Sequence, residues 1–472
     1  MTNVSRIARK EILDMWRDGR IRWTAAIVFA LLAAALASGL GVYEKESRLR
    51  RDAQHATRHD WLAQTPKNPH SAAHYGVYAF KPSPLLSFAD RGVDDYAGVV
   101  TYLEAHKQND FKYRPAQDET ALARFGNWTA ASVMQLLVPL LIVLLAFPSF
   151  VGERETATLR QVLGAGVAPR ELLRGKALGV VWSLAALLVP IAFVGATAIV
   201  ITSANDDVIA RAGLLALVYV AYYAIVLGVS LMVSARAPSS RVALLVLLGF
   251  WAVNSLVAPR ALADVSRAAR PTQSSLDFNR FLESELAKEN EGANEALAAK
   301  LTKEFGVASA EQLPFDVRGI SLQAGETRGN AVFDAGYGAL HDAFVDQTRM
   351  QRLGAVAAPL TAVRFLSMGL SGTDYEAHWE FGQSAERYRR ALVAKMNMAV
   401  AFGERRGGRP VEGDSALWAT MAPFRYEAEP VGLVLERERV SLSVLLVWVA
   451  VVAIAASMAV GRLAVDPGLG TA

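Results

Sequence analysis

Apolar positions along this chain fall into two regimes. In one, runs of about 20 residues carry no charge; in the other, apolar residues recur every three or four positions among ordinary polar ones. Crossing a hydrocarbon core about 30 Å thick takes about 20 apolar residues at about 1.5 Å each. Six runs meet that length and predict spans at 23–43, 130–150, 177–202, 212–233, 242–259 and 440–461. The second lies inside the charge-free run Phe125 to Gly152, centred on Val133 to Phe150, and the fifth is short. A seventh apolar stretch, Leu353 to Leu370, holds Arg364 near its middle. An arginine there costs about 2.5–3.5 kcal/mol in a bilayer, so the stretch reads as a buried helix of a water-soluble domain, with a seventh span as the alternative.

Charge in the short loops orients the spans. Residues 1–22 carry Arg6, Arg9, Lys10, Arg17, Arg20 and Arg22. The 151–176 loop carries Arg154, Arg160, Arg170, Arg174 and Lys176, and Arg236, Arg241 and Arg462 follow later spans. With six spans all of these fall on one side, which the positive-inside rule makes cytoplasmic, together with both termini and the 462–472 tail. Segments 44–124 and 260–439 then lie outside, the second with 22 basic and 25 acidic residues. The expected fold class is an all-α membrane protein of six transmembrane helices with two extracytoplasmic insertions. The second insertion is mainly helical: Phe281, Leu282 and Leu286 with Leu297 and Leu301, then Val332 to Phe344, then Phe381 to Met396, recur at helical spacing. Pro314, Ser371-Gly372 and Gly407-Gly408 punctuate it. Before the first span, residues 4–16 read as an amphipathic helix whose Val4, Ile7, Ala8, Ile12, Met15 and Trp16 share one face. Such a helix lies in the lipid interface, with Ile7, Ile12 and Trp16 as its contacts. Ala35-Leu36-Ala37 fits a signal-cleavage pattern, but Glu11, Asp14 and Asp18 in the preceding region and the length of the apolar run favour a retained span. Ala33, Ala37 and Gly41 form a small-residue row on that span, a candidate close-packing face.

Composition narrows the function. Of 472 residues, 53% are hydrophobic and only 20% charged, against about a quarter charged in a soluble domain, which excludes a plain soluble enzyme. The net charge of +4 is small for this length and does not suggest nucleic acid as a partner. The absence of cysteine excludes disulfides, thiolate metal sites and a thiol nucleophile. No span contains an ionisable residue in its interior, which argues against a proton- or sodium-coupled carrier. Polar groups there, among them Gln135, Ser183, Asn254, Ser255, Tyr219, Tyr222 and Tyr223, more often hold helices together. The chain also lacks a G-x-x-x-x-G-K-[ST] phosphate loop, so a nucleotide site would have to come from another polypeptide.

The 151–176 loop is a short helix of mixed charge, a Gly-rich turn at Gly164 and Gly166, and a second helix opening near Pro169. Charge pairs plus Leu159, Leu172 and Leu173 suit docking on a partner; a solvated helical hairpin is the alternative. The string Glu153-Arg154-Glu155, Thr158-Leu159-Arg160-Gln161, Arg170-Glu171-Leu172-Leu173 and Gly175-Lys176 resembles the cytoplasmic loop of type-2 ABC exporter permeases. That family commonly has a glycine where Ala157 stands here. Pro314 to Gln323, Pro359 to Met368, Ser371 to Asp374 and Ala385 to Arg390 are similar to a subgroup with a large outer domain of unknown function, often labelled multicopper-enzyme maturation permease. The resemblance covers nearly the whole chain except 44–124. It implies a permease in the bacterial inner membrane, paired with itself or a sister permease and driven by separate ATPase subunits that bind the ATP and Mg. By position it assigns ATPase coupling to Glu153, Arg154, Glu155, Thr158 and Leu159, with Arg170, Glu171 and Arg174 at the same interface. No cofactor is expected in this chain.

Five of seven histidines lie in 44–124. His55/His59 and His70/His74 are i, i+4 pairs that on a helix point the same way and could hold one metal. Pro69 and Gly76 argue against a helix at the second pair, leaving His55 and His59 as the metal candidates, without the carboxylate of the H-E-x-x-H spacing. A solvated loop is the alternative. Gly413-Asp414-Ser415-Ala416 has the outline of a nucleophile turn but has no histidine downstream and no preceding strand. The sequence thus points to an ATP-driven exporter subunit rather than an enzyme. The rivals are an ATP-independent channel or scaffold and a membrane-anchored periplasmic metal-handling protein.

Overall fold

A computed structural model describes residues 2–117, 120, 128–202, 205–290, 292–403 and 411–464; the start of the charge-free run at Phe125, the Gly407-Gly408 step and most of the 462–472 tail lie outside them. The helices are α1 (Asn3–Arg17), α2 (Gly19–Leu62), α3 (Pro69–His74), α4 (Val138–Ala146), α5 (Val151–Glu155), α6 (Thr158–Gly164), α7 (Pro169–Thr202), α8 (Asp206–Arg236) and α9 (Ser240–Ala252). After them come α10 (Ala258–Ala269), α11 (Ser275–Asn290), α12 (Ala293–Glu304), α13 (Val317–Gly354), α14 (Pro359–Ser371), α15 (Tyr375–Phe402), α16 (Ser415–Ala419), α17 (Val431–Arg437) and α18 (Arg439–Gly461). Among the described residues between α3 and α4 lie three short strands, β1 (Val77–Phe80), β2 (Val100–Glu104) and β3 (Lys107–Gln108), paired antiparallel in the order β1-β2-β3.

Among the described residues, six helical stretches are long and apolar enough to cross a membrane: Ile21–Leu62, Ala130–Glu155, Pro169–Thr202, Asp206–Arg236, Ser240–Ala269 and Arg439–Gly461. Large apolar side chains stand exposed along them, Phe193, Leu217, Leu245, Val447 and Ile454 among them, a surface suited to lipid. The helices that carry the spans run past the bounds drawn from hydropathy. The first continues unbroken to Leu62, so the segment expected to begin at residue 44 opens as a helical stem. The helix that carries the fifth continues to Ala269, past Arg260, Asp264 and Arg267. The small-residue row expected to pack on the first span faces outward at Ala37 and Gly41; the close approach is at Gly39, where a Cβ would meet the Phe88 carbonyl.

Two spans each contain one widened π turn, Val133–Leu137 and Val253–Val257, and each turn is followed by a proline, Pro139 or Pro259. Proline brings no N–H to the preceding turn, and backbone carbonyls inside a bilayer need another donor. Tyr223 Oη donates to the Met134 carbonyl at 3.1 Å and Trp251 Nε1 to the Leu136 carbonyl at 2.9 Å. The turns also carry polar side chains into the bundle: Gln135 Nε2 donates to Tyr219 Oη at 3.1 Å, and Asn254 Nδ2 to Tyr222 Oη at 3.0 Å.

The Leu353 to Leu370 stretch corrects the sequence reading. It is broken at Ala355 to Ala358, and α14, at 13 residues, is too short to span. Neither does it sit in a water-soluble core. Leu360, Val363, Leu366 and Leu370 belong to the same apolar cluster as the spans. At its C-terminal end the Gly369 and Leu370 carbonyls accept from Arg211 at 3.3 and 3.4 Å. Ser367 Oγ and Tyr219 Oη are 3.0 Å apart, and at its start Leu360 N donates to Asn254 Oδ1 at 3.1 Å. Asn254 in turn holds Tyr222, so α14 runs beside α8 from Arg211 to Tyr222, about 16 Å of helix rise or half a hydrocarbon core. Arg364 is tolerated at that depth because it has partners that only the fold brings: the Ser255 carbonyl at 3.5 Å, and Asp90 across a shared cavity of about 260 Å³.

The two insertions form one domain rather than two. Trp61, Ala72, Val77 and Leu103 from the first share a core with Phe381, Leu392, Met396 and Trp418 from the second. Trp61 Nε1 donates to the Trp418 carbonyl at 2.9 Å, and the two rings meet edge to face. The expected helix pairs become α11, α12, α13 and α15.

Candidate functional site

At the end of the bundle opposite the domain, the 151–168 loop meets α1 and the starts or ends of three spans. The N-terminal helix α1 lies along α7, and Gly175 and Gly179 permit the approach. A Cβ at Gly175 would come within 2.6 Å of Ile7 Cβ, and one at Gly179 within 2.6 Å of Glu11 Cβ. Met15 and Ala8 are buried in the contact, Ile7 and Ile12 are half-buried, and Trp16 is 58% exposed where lipid would lie. Glu11, on the buried face of α1, accepts from Lys176 Nζ at 2.8 Å. The same ammonium lies 3.0 Å from Glu153 Oε1, which also accepts from Lys10 Nζ at 2.9 Å. Lys176 is 1% exposed, so Glu11 and Glu153 compensate a buried cation, and the half-exposed Lys10 balances the second carboxylate. Partial burial lowers the Lys10 pKa, but the hydrogen bond and charge of Glu153, with Glu11 and Asp14, outweigh it and hold the ammonium above the ordinary lysine value.

The next two residues reach elsewhere. Arg154 donates from Nη1 to the Ala237 carbonyl at 2.7 Å and from Nη2 to the Ala235 carbonyl at 2.5 Å, a cation on the carbonyls that end α8. Glu155 accepts from Ser240 N at 2.7 Å and Ser240 Oγ at 2.6 Å, an anion at the amide end of α9. Phe150 N donates to Ser234 Oγ at 2.9 Å and closes the second span on α8. Three consecutive side chains therefore tie one short helix to α1 and α7, to α8 and to α9.

The turn after them is held by Thr158 Oγ1, which donates to the Glu153 carbonyl at 3.2 Å, and by Ala157 in the left-handed region at φ +58°. Glycine takes that conformation freely, which accounts for the residue common at this place in the resembled loops. Leu159 and Leu172 are buried in the chain's own bundle core, 6% and 1% exposed, so they do not supply burial to a partner as expected from the sequence; Leu173 is half-buried. Their apolar faces close the bundle before any partner arrives. Glu171 caps the start of α7, accepting from Ala168 N at 3.3 Å, and also accepts from Asn3 Nδ2 at 3.3 Å. Exposed there are Arg160, Gln161, Arg170 and Arg174, beside a Gly164 to Gly166 turn, together with Glu155, Thr156 and Thr158. Three arginines against one carboxylate leave that surface cationic.

Sequence reasoning missed Lys10, Glu11, Lys176, Ser234 and Ser240. The signal available for Lys176 and Glu11 was the Gly175-x-x-x-Gly179 spacing, a close-packing row that predicts a helix laid against it. The metal candidates need correction as well. His55 and His59 are exposed on the stem of α2, where His59 Nδ1 lies 3.5 Å from Asp60, and among the described residues no third ligand joins them. The second histidine pair is the helical one brought to company: Asn68 caps α3 by accepting from His70 N at 2.9 Å and Pro69 occupies its first turn, which overrides the helix-breaking reading of Pro69.

A family model described as ABC-2 family transporter protein matches residues 5–302, which take in the first five of the six spans and the loop. A second, described as a domain of unknown function (DUF3526), matches residues 273–427, which take in α11 to α16 and so include α14. No curated protein matches the chain.

Proposed function

The chain belongs to the ABC-2 family of transporter proteins, and from that premise we propose that it is the permease subunit of an ATP-driven exporter, powered by a separate ATPase that docks on the 151–176 loop. The observation that carries the reading is the threefold attachment of Glu153, Arg154 and Glu155 to the ends of α7, α8 and α9 and to α1. A partner that grips Arg160, Gln161, Arg170 and Arg174 moves the loop, and the loop takes those helix ends with it. ATP and Mg bound by the partner then bias two arrangements of the bundle by holding the loop in two positions. On this reading Glu153, Arg154 and Glu155 transmit force and the arginines further along receive it. Thr158 and Leu159 seat the turn.

The protein sits in the bacterial inner membrane with the basic loop and both termini in the cytoplasm, in accord with the positive-inside rule. Export is the direction that the family resemblance favours. A second permease copy, or a sister permease, completes the pathway through apolar faces of the spans, and α1 rests in the cytoplasmic leaflet with Trp16 and Trp23 in lipid.

The test is a mild-detergent pull-down from native membranes, read by mass spectrometry and ATPase activity. A stoichiometric ATPase is expected, retained by Glu153→Ala/Arg154→Ala but no longer coupled to transport, and lost in Arg160→Glu/Arg170→Glu. Absence of any ATPase from folded six-span protein overturns the reading and leaves a channel or scaffold.

A further inference from the structure

Three histidines distant in sequence converge on the domain. His70 and His74 lie one turn apart on α3, and His106 stands in the two-residue turn between β2 and β3. Each offers one ring nitrogen to a common point, all within 4.8 Å of one another, and His70 Nε2 is 3.0 Å from His106 Nε2.

The far side of two rings fixes where their protons are. His70 Nδ1 lies 2.7 Å from Asn397 Oδ1, and Asn397 turns that oxygen toward it because its own Nδ2 donates to Gln323 Oε1 at 3.2 Å. His106 Nδ1 lies 2.8 Å from Glu326 Oε1. Glu326 is a buried carboxylate with Arg389 at 3.1 Å, and it also accepts from the His106 backbone N–H at 2.6 Å. Both acceptors take the Nδ1 proton, so two Nε2 lone pairs face each other at hydrogen-bond distance. That arrangement is repulsive until something positive lies between them. A shared proton would serve two rings, but the third imidazole brings one more lone pair than a proton can bridge.

We propose that His70, His74 and His106 bind one divalent first-row transition-metal ion of the zinc–copper class. Three neutral imidazoles suit such an ion, and the absence of any thiolate disfavours a soft monovalent one. A tetrahedral ion with bonds of about 2.0–2.1 Å needs ligand nitrogens about 3.3 Å apart. The His70–His106 gap is already near that value, and His74, exposed at the end of α3, is the ring that closes. Asn397 and Glu326 orient the first two ligands from behind, as partners of metal-bound histidines do. His106 holds a left-handed backbone at φ +66° to bring its ring there. The ring also lines a cavity of about 540 Å³ with Glu326, Arg328 and Phe333, so the fourth position faces a space open to water or a further ligand.

The test uses the full chain in mild detergent, stripped by a chelator and titrated with Zn²⁺ against a chromogenic chelator. One Zn²⁺ per chain is expected, with X-ray absorption showing nitrogen ligands. His74→Ala, at an exposed position, and His106→Asn, which tolerates the left-handed backbone, should each weaken binding 10-fold or more while His55→Ala/His59→Ala leaves it unchanged. Zn²⁺ should also raise the melting temperature of the unsubstituted protein and not that of His74→Ala. Zn²⁺ uptake no greater than that of His74→Ala means that the rings share a proton only, and it overturns the proposal. So does uptake that follows His55 and His59. Neither readout depends on transport or on an ATPase.

Discussion

Replacing Lys176 by methionine keeps its length and packing and removes its charge. The side chain is 1% exposed and lies 2.8 Å from Glu11 and 3.0 Å from Glu153, so the substitution leaves two carboxylates facing a site with no buried cation. At an effective dielectric constant of about 20, each contact is worth about 6 kcal/mol before desolvation, and removing one partner of a buried pair costs about 3–5 kcal/mol. Lys10 remains 2.9 Å from Glu153 and offsets part of that. The expected cost of Lys176→Met is therefore about 3 kcal/mol. Glu11→Gln alone should cost about 1–2 kcal/mol, because Lys176 keeps Glu153 as a partner. The double substitution removes one charge of each sign and leaves the Lys10–Glu153 pair, so it should cost less than the sum by about 1.5–3 kcal/mol. Denaturant midpoints of the purified protein in one detergent measure all three. Additivity within about 0.5 kcal/mol would refute the view that these groups form one coupled cluster.

Gly179→Leu should lift α1 from α7, since even a Cβ would come within 2.6 Å of Glu11 Cβ; limited proteolysis within residues 3–17 should speed up, with the spans still folded. Ala157→Val places a β-branched residue at φ +58° and should cost about 1–2 kcal/mol, whereas Ala157→Gly should be neutral or slightly stabilising; thermal melts separate the two. Burial, and after it the charge of Lys81, push the His378 pKa down to about 4, so the folded protein resists a proton that the unfolded chain accepts near pH 6.5. Stability should accordingly fall as pH drops from about 6.5 to 4, by up to about 3 kcal/mol, and His378→Phe should flatten that limb of the pH–stability curve.

The local half of this architecture was legible in the sequence. Charge-free runs mark spans because the bilayer imposes a length, and the 4–16 periodicity marks α1 because one face must pack. What escaped depends on contacts between distant residues. Arg364 made α14 look soluble because the cost of a charge is local in sequence, while Asp90 and the Ser255 carbonyl, which offset it, come from other elements. Glu153, Arg154 and Glu155 read as charges that meet a partner; only the fold shows the helix ends of this same chain that hold them. The histidine cluster was half visible at His70 and His74, where the Asn68-Pro69 start signal was outweighed by Pro69 read as a breaker, and His106 joins through a strand turn that periodicity does not reveal.

Helix α8 takes the grip of Arg154 at one tip and meets α14 along its other half, through Arg211, Tyr219 and the Tyr222–Asn254 link. It is 31 residues long, about 46 Å of uninterrupted rod. Rocked about its centre by about 5°, such a rod carries its two tips about 2 Å in opposite directions. A nudge delivered at one surface would thus emerge at the other with its sense reversed and its size nearly intact. The domain, gripping the far arm through α14, would feel that stroke without any change in its own fold.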